Sequence, residues 1–139
     1  AVSDGWPAYK VGKAALAAAE ASGLTKRMAS TCAGTAAATA VASSAAEDGS
    51  APANVAAHAM QAARYAGLSK QTAAHLVAKI ATDTVADNAV WKGAAPAEVG
   101  RAAKEAAITA GVSESEVMAS AGNAAASAVA RKMARDGLP

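Results

Sequence analysis

An all-α fold, three helix-turn-helix units stacked as a short α-solenoid or closed into a bundle, is predicted by three observations on this 139-residue chain. Glycines recur at 44-residue intervals, at Gly23, Gly67 and Gly111 and again at Gly5, Gly49, Gly93 and Gly137. Apolar residues keep the same interval, as at Val11, Val55 and Val99 and at Val41, Val85 and Val129. Finally, 47 of the 139 residues are Ala, the residue that loses least on entering a helix because it has no rotamer entropy to give up. A repeat of this length is the mark of an array whose neighbours bury one another's faces. The chain therefore reads as one domain, 1–139, made of units 5–48, 49–92 and 93–136.

The first helix of each unit is expected to begin near Pro7, Pro52 and Pro96, since proline is tolerated in a first turn whose N–H groups have no helical acceptor. Ser50 is the expected N-cap of the second of these helices. They end near Ser22, Ala66 and Ala110. Val11, Ala15, Ala18 and Ala19 and their equivalents are spaced i, i+4, i+7, i+8, which draws one small-residue stripe along a helix. Gly23-Leu24-Thr25, Gly67-Leu68-Ser69 and Gly111-Val112-Ser113 follow as turns. The Gly takes the left-handed conformation that closes a helix, the Leu or Val packs back on its last turn, and the Ser or Thr caps the next helix. Ser113 and Glu116 have the spacing of a capping box.

The second helices are expected at 26–47, 70–91 and 114–135, about 33 Å long at ~1.5 Å per residue. Gly34 and Gly122 stand inside them at a cost of ~1 kcal/mol each relative to Ala. Close approach of another helix explains such glycines, and a flat cofactor is the alternative. Met28 to Ala46 carries no charge, and Val117 to Ala130 has the same character. A membrane span is not expected from the first stretch, because its counterpart carries His75, Lys79, Asp83 and Asp87. Such helices instead belong inside an assembly, covered by other helices or by a partner.

Composition excludes several functions. The net charge is +2, and the three units carry +4/−3, +4/−2 and +5/−5, so no basic stripe for nucleic acid emerges. Arg131, Lys132 and Arg135 lie near a helix C-terminus, where they complement the dipole. The single cysteine, Cys32, cannot form an internal disulfide, and its small uncharged neighbours suggest a buried inert thiol. No nucleophile-base arrangement or phosphate loop is visible, so no catalytic residue and no metal ligand set is assigned. His58 and His75 lie at similar distances before and after the Ala66–Gly67 turn. A hairpin would set them at similar heights, as candidate contacts to a pigment or apolar ligand; the alternative is two unrelated histidines.

The candidate interface residues are Trp6, Met28, Thr35, Trp91 and Met118. The two tryptophans lie near unit boundaries, where a large ring anchors a contact or caps an array short of bulk. Thr31, Thr35 and Thr39 are spaced i, i+4, i+8 among alanines. They form a regular Thr/Ala face on one helix without equivalents in the other units.

The Ala-rich helices punctuated by Ala-Gly-Leu-Ser, as at Ala66 to Ser69, resemble helical-repeat proteins associated with algal plastids. That resemblance implies an accessory subunit of a photosynthetic membrane complex, thylakoid-associated after loss of a targeting segment; it transfers no functional residue. The first residue, Ala rather than Met, fits a processed form or a trimmed chain. The expected function is thus a non-enzymatic scaffold or accessory subunit, self-associating or held in a larger protein complex, with no cofactor of its own. The alternative is a small helical protein that binds an apolar ligand or pigment.

Overall fold

A computed structural model describes residues 7–137. Those residues form six helices: α1 (Ala8–Ala21), α2 (Lys26–Glu47), α3 (Pro52–Tyr65), α4 (Lys70–Trp91), α5 (Pro96–Ala110) and α6 (Glu114–Arg135). Among the described residues there is no strand. The three long helices have the limits expected from the turn residues. Thr25, Ser69 and Ser113 cap them, their hydroxyls accepting from the N–H groups of Met28, Thr72 and Glu116 at 3.3, 3.2 and 3.2 Å.

The short helices start differently from one another. Pro52 and Pro96 occupy the first turn of α3 and α5, behind Ala51 and Ala95, which offer no side-chain cap. Pro7 stands one residue before α1. Ser50 is not the N-cap it was expected to be. Its N–H is drawn back to the Ala45 carbonyl at 3.0 Å, next to a Gly49 N–H bond to Ala46, and together these close α2 in a Schellman arrangement. The turn after α3 repeats it, with Leu68 N–H to Ala63 and Gly67 N–H to Arg64. Gly67 has φ +100°, which a side chain would strain.

Each short helix packs on the long helix that follows it. α3 lies against α1 and α5, and α4 lies against α2 and α6. Among the described residues neither α1 nor α2 packs extensively on α5 or α6. The main apolar cluster gathers Val55, Leu68, Val77 and Val85 among fully buried alanines. Alanine supplies little area, so the helices must approach closely. Gly12 shows how closely: a Cβ there would collide with the Ala62 carbonyl oxygen of α3 and lie 3.1 Å from the Ala66 nitrogen.

Leu68 was expected to pack back on its own helix, and it shares a buried cluster with Ala59 and Ala63 of α3. Its side chain also reaches α2 and fills the space above Gly34, where a Cβ would strike its Cδ1 and lie 2.9 Å from its Cγ. Thr82, buried in α4, donates to the Ala78 and Lys79 carbonyls at 2.6 and 3.0 Å. Among the described residues no buried side-chain nitrogen or oxygen lacks a partner.

Candidate interaction surfaces

The histidines do not meet. His58 is on the exposed side of α3 that looks toward the first helix pair, and lines a hollow with Tyr9, Val41 and Asp48. His75, on α4, looks toward the third pair: its Nδ1 lies 2.8 Å from Glu116 Oε2 on α6. The hairpin sets heights, but rotation of each helix about its own axis sends the two rings to different neighbours. The two-His site expected from the turn is therefore not assembled. The same contact alters the capping box. Ser113 accepts from the Glu116 N–H, while the Glu116 carboxylate turns to His75 instead of back to Ser113.

His75 and Glu116 border a half-open groove of ≈ 790 Å³ between the second and third pairs, whose lining includes Met60, Arg64, Val112 and Gln71. Among the described residues no group of three or more His, Cys, Asp or Glu side chains is placed to hold a metal ion.

The basic cluster at the end of α6 is engaged within the chain. Arg131 Nη2 contacts Asp87 Oδ1 at 2.5 Å, and Lys132 Nζ contacts Asp136 Oδ2 at 2.5 Å. The Arg135 guanidinium stacks 4.3 Å from the centre of the Trp91 ring, with Lys132 Nζ at 6.0 Å. Trp91 is nonetheless 62% exposed. Of the other candidate anchors, Met28 and Met118 are 54% and 59% exposed, and Trp6 lies outside the described residues. The Tyr9 and Tyr65 rings meet at a tilt of 54° with their centres 5.6 Å apart.

Thr35 is exposed on α2, and its hydroxyl donates to the Thr31 carbonyl at 2.9 Å. Thr31 and Thr39 do the same to Arg27 and Thr35. Cys32 is exposed, not buried as expected. At the same helix position Leu76 and Ser120 are half-buried, because a preceding pair stands over them and none stands over Cys32.

Sequence reasoning missed Ile108 and Met133, both exposed apolar residues, and the mid-helix glycines Gly12 and Gly100. The glycines carried a usable signal: Gly inside a helix is costly, and these two are two intervals of 44 apart. Among the described residues no helix is long and apolar enough to cross a membrane. No protein-family model, curated protein or solved structure matches the chain.

Proposed function

We propose that this protein is a non-enzymatic structural subunit: three equivalent helix pairs stacked as a short open α-solenoid whose uncharged faces bind other subunits. The stacked reading is supported by the run of neighbours α1–α3–α5 and α2–α4–α6, with no extensive packing between the first and third pairs. The observation that carries the functional reading is the set of large apolar side chains left at the surface. Hydroxyls cap helices or donate to their own backbone, and the terminal cations pair within the chain. The large apolar side chains that face outward include Met28, Ile108, Met118 and Met133, beside exposed cations such as Arg64, Lys70, Arg101 and Lys104. Met28 and Met118 lie on helices that do not pack extensively on each other, so each end of the molecule offers an apolar contact point to another subunit. A photosynthetic membrane assembly is the setting that the Ala-Gly-Leu-Ser resemblance implies.

Ligand-linked stability tests this reading, because binding to the folded state raises Tm with concentration. Circular dichroism melts of the isolated protein should show Tm rising with protein concentration, or precipitation. A sharp melt with the same Tm at every concentration counts against it. A second reading, an apolar ligand or pigment held beside His75, is favoured by the groove between the second and third pairs. Absorption spectra and native mass of protein from its source decide it; no bound mass removes it.

A further inference from the structure

The two ends of the molecule carry complementary halves of its own internal interface. Ser30, Gly34, Ala38, Ala42 and Ala46 of α2 are buried beneath the second pair. Their equivalents 88 residues on are Met118, Gly122, Ala126, Ala130 and Ala134, and all five are exposed. The reverse holds on the opposite side. Ala106, Ala110, Ala124 and Ala128 are buried, whereas their first-pair equivalents Ala18, Ser22, Ala36 and Ala40 are exposed. The α1–α2 end and the α6 side of the other end lack the polar outer face that a terminal unit of a stacked array needs for solubility; on α5 a cation, Lys104, stands where α1 has Leu16.

The seats in these faces are specific. Gly34 leaves the room that Leu68 fills, and Gly12 lets α1 touch the backbone of α3 at Ala62. Gly122 and Gly100 repeat those positions in the third pair, and a Cβ on either would meet nothing within 4 Å. The second pair has Ala78 in place of Gly34, and the matching lock is the smaller Val112, which packs on the same cluster as Ala78. Seat and lock therefore vary together: Gly with Leu, Ala with Val. The vacant seat is Gly122, and the unused lock at the other end is Leu24.

Charge follows the same column. Trp91 and Arg135 are equivalent positions in successive pairs and lie in contact. The first-pair equivalent is Glu47, so the next pair in the series would set a carboxylate beside Arg135. Where His75 meets Glu116 inside the chain, the corresponding meeting would be Ala119 with Met28, an apolar contact in place of an ionic one.

We propose that a second copy of this chain docks head to tail, its α1–α2 face on the α5–α6 face of the first, with Leu24 of the incoming copy seated over Gly122. This rests on the stacked reading above. It continues an interface the chain already makes twice, so the contact is heterologous and extends into a filament or closes into a ring.

The test is a cross-link between two separate variants in a Cys32→Ser background, Leu24→Cys and Gly122→Cys, mixed and oxidised. A Gly34→Cys/Leu68→Cys chain serves as the internal control for disulfide geometry at this seat. The expected product is the mixed dimer joining one variant to the other, with each variant alone remaining uncrosslinked. In sedimentation, Gly122→Leu, which fills the seat, should weaken association by roughly tenfold or more, with its helical circular dichroism intact. Dimers of one variant with itself, or association that persists without the mixed product, overturn the head-to-tail contact while leaving self-association standing. A protein that stays monomeric at every concentration overturns both.

Discussion

Replacing Gly12 by Ala drives a Cβ into the Ala62 carbonyl of α3, and backbone cannot rotate away as a side chain can. At Gly100 the same methyl meets open space. Gly12→Ala should therefore destabilise the protein by about 1–3 kcal/mol through overpacking. Gly100→Ala should stabilise it by about 0.5–1 kcal/mol, because Ala costs less than Gly inside a helix. Urea titrations of the two variants against the parent check the opposite signs. Gly34 tests the seat itself. Gly34→Ala should cost about 1 kcal/mol by displacing Leu68, and adding Leu68→Val should recover most of it, reproducing the Ala78–Val112 combination. A double-mutant cycle with no coupling would break the link between the two positions. The turn glycines were legible because a left-handed residue after a helix is dictated locally. The mid-helix glycines were only half legible. Their cost is visible in the sequence, but whether a neighbour or open space lies over them depends on tertiary packing, and Gly34 and Gly122 read alike until that is known.

The helices are set by short-range chemistry, which is why their limits follow from residue types alone. Thr25, Ser69 and Ser113 each satisfy an N–H that would otherwise lack an acceptor. Ser69→Ala should cost about 1 kcal/mol, the usual value of such a cap, and thermal melts of the variant measure it. Ser50 misled because it belongs to the Schellman closure of α2 through its N–H, leaving Ala51 as the N-cap of α3. Helix orientation was less accessible. Heights of His58 and His75 follow from chain distance, but facing follows from which stripe each helix buries. In α3 the buried Val55, Ala59 and Ala62 leave His58 outside. In α4 the buried Ala73, Val77 and Ala81 turn His75 toward Glu116. Leu68 ties α2 to the turn between α3 and α4. Leu68→Ala should destabilise by about 2–4 kcal/mol, the cost of a buried Leu truncated over a seat that cannot collapse.

Across the whole molecule, stability should be unevenly distributed. The middle pair, α3 and α4, is covered on both sides and contains the fully buried Val55, Val77 and Thr82. The outer pairs are each covered once. In the proposed stack, held by nearest-neighbour contacts, the end pairs open first. Native-state hydrogen exchange should therefore find the slowest amides in α3 and α4, with protection falling toward α1 and α6; uniform protection would mean a single closed core. The turn glycines and caps made the six helices legible, but function was less so, since what faces outward depends on which helices are left without a neighbour. The most direct measurement is sedimentation equilibrium of the intact chain across a concentration series. Exposed end faces that complete one another predict an average mass that rises above the monomer with concentration. A mass fixed at the monomer value throughout would contradict them.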